Sequence, residues 1–227
     1  MCGRFSLDPG DPEIADIVTA VRSRIGFRTG AEPKTGEIAP TDTVPVLAVG
    51  SAGMRAEAMS WGFPRWDGKG VVFNARAETA LKKSMFRDHL RSSPVVVPTT
   101  GFFEWKPARS GDPAGSGRRA PAREKKEKFL FREEGRRVLW LAGFAAAFPS
   151  ASGRADDCFT ILTVPANESV SPYHDRMPLV LRKAEIVPWL SGEEFEYFLT
   201  RTPFPLTAAP DCSGFAPHPA CLPLPGM

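Results

Sequence analysis

The chain has 227 residues, 42% hydrophobic and 24% charged, with a net charge of +3. That is the profile of a soluble globular protein, large enough for one sizeable domain or two small ones. No apolar run approaches the roughly 18 residues of a membrane span and no apolar stretch follows Arg4, so neither a spanning segment nor a signal peptide is expected and the cytoplasm is the assigned compartment.

Asp11-Pro12 reads as a helix N-cap followed by proline at the first helical position. Ile14, Ile17, Val18, Val21 and Ile25 then recur at helical spacing, which predicts one amphipathic helix ending near Gly26. Beyond it, short segments rich in Val, Phe and Ile predict strands at 44–49, 71–73, 95–97, 129–131, 138–144, 159–164 and 179–181. Short helices are expected at 77–90, 183–190 and 193–200. No long β-α-β alternation occurs, so a doubly wound sheet is excluded in favour of one α+β domain with a mainly antiparallel, curved β-sheet and peripheral short helices. That domain is placed at residues 1–202, and 203–227 form a Pro-rich tail, packed or disordered.

Charge is unevenly distributed. Residues 118–137 hold nine Lys/Arg against four Glu, whereas 184–227 hold five acids and one arginine. A polyanion partner fits the basic stretch, and so does a solvated loop, because 111–122 is rich in Gly, Pro, Ser and Arg. The four cysteines (Cys2, Cys158, Cys212, Cys221) show no C-x-x-C spacing, and Cys212, His218 and Cys221 are too loosely arranged to indicate a metal site.

The residues able to carry chemistry begin at the second position. Removal of Met1 leaves Cys2 with a free α-amine and a thiol on adjacent carbons, groups that titrate at about 8 and about 8.5. An aldehyde meeting that pair forms a Schiff base with the amine and then closes a thiazolidine with the thiol. Asn74 opens Asn74-Ala75-Arg76 after an apolar run, which suits either an anionic, hydrogen-bonding ligand or a simple turn. Glu104 stands between Phe103 and Trp105; buried there, its pKa would rise toward proton-transfer duty, whereas strand alternation would turn it to solvent. His174 lies in Tyr173-His174-Asp175-Arg176, a turn leading into an apolar strand. Trp61-Gly62-Phe63-Pro64-Arg65-Trp66 combines aromatics and a cation as single-stranded nucleic acid requires, or makes a corner of the core.

Taken together these segments resemble the SOS-response-associated peptidase (SRAP) family. The resemblance runs through Met1-Cys2-Gly3-Arg4-Phe5, Ala39-Pro40-Thr41, Trp61-Gly62-Phe63-Pro64 with Trp66, Asn74-Ala75-Arg76-Ala77-Glu78-Thr79, Gly101-Phe102-Phe103-Glu104-Trp105-Lys106, Thr160-Ile161-Leu162-Thr163 with Ala166-Asn167, and His174-Asp175-Arg176-Met177-Pro178, in family order to about residue 190. It implies covalent attachment of Cys2 to abasic sites in single-stranded DNA. By the same resemblance, Glu104 opens the sugar, His174 assists at the imine and Asn74 orients Cys2. Arg4, Arg76 and Arg176 would meet phosphates, and Pro40, Trp66 and Thr163 the strand beside the lesion. No metal or organic cofactor is implied, the partner is abasic single-stranded DNA, and the protein is expected to be a monomer with autoproteolytic loss of Met1. Departures are Ser84 where arginine is frequent, no Trp-Glu pair after Gly143, Phe103 for tyrosine, and no typical closing strand in the tail. Two other readings use the same cysteine: a thiol autopeptidase, and an N-terminal-nucleophile amidotransferase, whose usual synthetase portion has no counterpart here.

Overall fold

The computed structural model describes residues 2–25, 32–106, 126–149, 155–193 and 195–211. The helix end expected near Gly26, the first part of the basic stretch (118–125), and Cys212, His218 and Cys221 lie outside the described residues. Strand β1 (Phe5–Leu7) leads into helix α1 (Pro12–Ile25), which starts where the sequence places it: Asp11 Oδ1 accepts the main-chain N–H groups of Glu13 at 3.0 Å and Ile14 at 3.3 Å. Strands β2 (Gly36–Ile38), β3 (Thr43–Gly50), β4 (Gly53–Trp61), β5 (Phe63–Pro64), β6 (Val71–Val72) and β7 (Asn74–Arg76) follow. Helices α2 (Ala77–Ala80) and α3 (Ser84–Ser92) precede β8 (Pro94–Thr99), β9 (Gly101–Lys106), β10 (Glu127–Arg132), β11 (Leu139–Pro149) and β12 (Ala155–Pro165). The chain finishes with β13 (Arg176–Pro178), β14 (Val180–Leu181), a 3-10 turn, α4 (Ile186–Ser191), α5 (Phe195–Thr200) and β15 (Thr207–Pro210).

Two large sheets and the small pair β5-β6 organise the described strands. One runs β15-β10-β9-β1-β2. In the other, β12 pairs with β4, β4 with β3, β3 with β8, β8 with β11, and β11 again with β12, so the ladder closes on itself. Closure removes exposed edges and gives the sheet the expected curvature. Most pairings are antiparallel, but β12 runs parallel to both β4 and β7. Trp61 anchors the interior: it is fully buried, its Nε1 donates to the Phe73 carbonyl at 2.9 Å, and its ring lies 5.0 Å from Phe5 and 6.5 Å from Phe159. Burial of such a ring removes roughly 150–250 Å² from water, about 4–6 kcal/mol of driving force at 25 cal/mol/Å².

The single helix expected over 77–90 is two helices. Ala77 and Ala80 are buried on the first, Phe86 and Leu90 on the second, and Lys83 between them is extended at φ −88°, ψ 122°. An unbroken helix cannot bring both pairs to one face, since the step from 80 to 86 skips the i+3/i+4 positions; the break absorbs the phase change. Past residue 202 the chain also holds ordered structure: β15 adds to β10 with Phe131 opposite Ala208. Among the described residues no helix is long and apolar enough to cross a membrane.

Candidate active site

β1 is the element that delivers Cys2. Phe5 stands opposite Phe102 of β9, and Phe103 N–H donates to the Arg4 carbonyl at 2.9 Å, so the residues before β1 continue along β9 toward Glu104. Gly101 opens β9 with φ +152°, and a Cβ there would approach the Phe131 carbonyl oxygen to 2.7 Å; the close pairing with β10 needs glycine. Cys2 itself is fully buried, and its Sγ donates to the Arg4 carbonyl at 3.4 Å. Burial, followed by the neighbouring charge of Glu104, pushes the thiol far above its ordinary range, so it is held as the protonated thiol.

Asn74 approaches from the other sheet. Its Nδ2 donates to the Cys2 carbonyl at 2.7 Å, while its buried Oδ1 has no hydrogen-bond partner among the described residues. Such an unmet acceptor costs about 1–3 kcal/mol and suits a donor brought by a ligand. Glu104 is buried at 3% exposure, and loss of solvation lifts its carboxyl to about 7, with the charge of Asp175 acting in the same direction. The alternation that would turn Glu104 to solvent fails because Gly101 to Glu104 are buried on both faces of the strand.

His174 sits in the turn before β13. Burial holds its imidazole below the ordinary histidine range, so the ring is neutral at pH 7. Nδ1 accepts the Arg176 main-chain N–H at 2.9 Å, which places the ring proton on Nε2. Asp175 Oδ1 lies 2.8 Å from the same nitrogen, a spacing that becomes a hydrogen bond only when Nδ1 carries a proton. Cys2, Asn74 and Glu104 are thus gathered from the residues before β1, from β7 and from β9, and the His174 turn before β13 comes close enough for the charge of Asp175 to act on Glu104.

The residues expected against DNA divide into two groups. Trp66 is 92% exposed on the β5–β6 loop, Arg76 is exposed two residues beyond Asn74, Pro40 is half-buried, and Arg4 keeps 40% of its side chain in solvent while pairing with Glu37 at 3.4 Å. Thr163 and Arg176 are not on that surface. Thr163 is fully buried in β12, and Arg176 is buried with its guanidinium spent on Glu78 and Thr163. Trp61, from the same aromatic run as Trp66, belongs to the core. In the described part of the basic stretch two of the five cations are held in ion pairs: Lys128 lies 2.6 Å from Glu37 and 2.8 Å from Asp211, and Arg136 lies 3.2 Å from Glu133.

A family model described as SOS response associated peptidase (SRAP) matches residues 1–205. The chain belongs to the SRAP family. It is 28% identical over 196 residues to the abasic site processing protein YedK of Escherichia coli, covering 85% of this chain and 81% of that one. It is 29% identical over 197 residues to the abasic site processing protein YoqW of Bacillus subtilis, covering 84% and 80%. A chicken (Gallus gallus) relative, the abasic site processing protein HMCES, is 33% identical over 154 residues, 60% of this chain and 45% of its own. Among solved structures, a protein from Bacteroides thetaiotaomicron superposes with a TM-score of 0.69 at 19% identity over 92% of this chain and 91% of that one. One from Bordetella bronchiseptica does so with 0.66 at 22% identity over 92% and 99%. These two establish the fold.

Within this SRAP chain, two residues of the site carry features that the sequence did not single out. Glu78 takes both ends of the Arg176 guanidinium; its signal was an acid two residues after Arg76 in the first turn of a helix. Thr41, beside Pro40, holds φ +81°, a left-handed conformation costly for a β-branched residue. No local pattern announces that strain.

Proposed function

We propose that this SRAP protein captures abasic sites in single-stranded DNA as a covalent thiazolidine on Cys2. The observation that carries the reading is a carboxyl group, Glu104, poised to gain or lose a proton near pH 7 within the field of a buried cysteine whose carbonyl Asn74 holds. The names of the relatives, abasic site processing proteins, point to the same substrate.

Hydrolytic removal of Met1 frees the Cys2 α-amine. Glu104 takes the proton of the C1′ hydroxyl and returns one to the ring oxygen, which opens the closed sugar to the aldehyde. The amine attacks C1′ and the resulting carbinolamine loses one water to give the imine, with His174 as the proton carrier. The thiol then adds to C1′, its proton passing to the imine nitrogen, so one water leaves overall. A thiol kept protonated by burial is unreactive toward passing electrophiles until the imine stands beside it. Asn74 Oδ1 accepts a hydroxyl hydrogen of the opened sugar. Arg4 and Arg76 serve phosphates, and Trp66 and Pro40 pack on the strand beside the lesion. Arg176 and Thr163 support the site from within.

Denaturing gels of protein mixed with an abasic single-stranded oligonucleotide test this. Cys2→Ala abolishes the heat-stable adduct, and Cys2→Ser leaves at most an imine trapped by borohydride. A heat-stable adduct formed by Cys2→Ala with Met1 removed contradicts the thiazolidine.

A further inference from the structure

Arg176 is an arginine with no room to act at the surface. Only 9% of its side chain is exposed. Nη1 and Nη2 take the two carboxylate oxygens of Glu78, Nη2 also reaches the Thr163 carbonyl at 2.5 Å, and Thr163 Oγ1 lies at 3.4 Å. The ladders explain where this fork lies. At Thr163, β12 has Arg76 of β7 on one side and Pro178 of β13 on the other. The guanidinium therefore spans β12 and joins the start of β13 to α2, the helix that directly follows β7. On one side of that bridge is Asn74, the residue bonded to Cys2; on the other is His174, whose Nδ1 accepts the Arg176 main-chain N–H.

We propose that Glu78 is a positioning residue for the capture reaction: by clasping Arg176 it fixes the His174 turn relative to Asn74 and keeps His174 in the tautomer that carries its proton on Nε2. The proposal rests on the reading of His174 as the proton carrier at the imine. A phosphate role for Arg176 would require it to abandon Glu78 and the Thr163 carbonyl, whereas Arg76, exposed and without an ion pair among the described residues, is already placed for a phosphate. An ordinary surface ion pair would leave the arginine solvated; here the arginine is buried, while Glu78 keeps 44% of its side chain exposed. A bidentate fork also fixes angle as well as distance, which a single contact does not.

Glu78→Gln tests the clasp, since it keeps the shape and one acceptor but loses the charge, and Arg176→Lys keeps the cation but cannot chelate. Long-range proton–nitrogen NMR of the protein alone reads the His174 tautomer, independent of any DNA chemistry. In the unsubstituted protein the proton resides on Nε2; in both variants that preference is lost. Adduct formation at saturating abasic single-stranded DNA slows about tenfold, as expected for misplacement of a proton carrier, while affinity for the undamaged strand is unchanged. An unchanged tautomer in folded Glu78→Gln overturns the proposal, as does weakened undamaged-strand affinity with an unchanged adduct rate. Should Glu78→Gln fail to fold by circular dichroism, the same two readouts on Arg176→Lys decide. If the unsubstituted protein forms no adduct at all, the capture reading fails, and the NMR result still settles whether Glu78 holds His174.

Discussion

Glu104→Gln separates what the buried carboxyl costs the fold from what it does in the site. Burial raises this group from an ordinary 4.5 to about 7. A carboxyl raised on folding adds no penalty below pH 4.5, where both folded and unfolded chains are protonated. As pH rises through 4.5 the unfolded chain ionises first, and stability falls until the folded group also ionises near 7. The difference of about 2.5 pH units corresponds to roughly 3 kcal/mol at 1.36 kcal/mol each. Glutamine never ionises, so the stability of Glu104→Gln relative to the unsubstituted protein rises by about 3 kcal/mol between pH 4.5 and pH 7 and is level above it. For a domain of this size that is a gain in relative Tm of about 6–12 °C. Thermal melts and urea titrations of both proteins from pH 4 to 9 measure it. The same variant loses about 10²–10⁴-fold in adduct formation, since glutamine cannot cycle a proton. Parallel stability curves across that range would refute the reasoning, because Glu104 would then titrate alike in both states.

Two further substitutions probe the DNA face. Trp66→Ala leaves Tm unchanged, because the ring is 92% exposed, yet weakens single-stranded DNA binding in fluorescence anisotropy by the ~1–3 kcal/mol of a stacked base; an altered Tm with unaltered affinity would assign Trp66 to the fold. Thr41→Gly relieves a β-branched residue at φ +81° and, after the entropy cost of glycine, raises stability by about 1 kcal/mol in urea titration while loosening Pro40 and weakening binding; a loss of stability would show that Thr41 is not strained.

Local signals in the sequence located what local physics controls. The Asp11-Pro12 cap and the apolar spacing behind it placed α1, and runs of Val and Phe placed β3, β8, β11 and β12 to within a few residues. β4 escaped because Gly53–Trp61 mixes Ala56 and Ala58 with Arg55, Glu57 and Ser60, too little apolar contrast for a strand that is made by pairing with β3. Cys2, Asn74, Glu104 and His174 were legible as chemical types, but Glu104 remained ambiguous until its neighbours on both faces were in place. Arg176 and Thr163 read as surface contacts because the partner that buries Arg176, Glu78, lies 98 residues away in sequence. Lys128 of the basic stretch likewise read as a free cation because the acids that meet it, Glu37 and Asp211, lie far away in sequence.

The intact mass of the protein after incubation with an abasic single-stranded oligonucleotide, read under denaturing conditions and followed by peptide mapping, tests covalent capture most directly. Thiazolidine capture gives a species equal to the protein without Met1 plus the oligonucleotide less one water, surviving heat without borohydride, with the modification on Cys2. A mass equal to the unmodified protein, or an adduct mapped to a lysine and seen only after reduction, would contradict it.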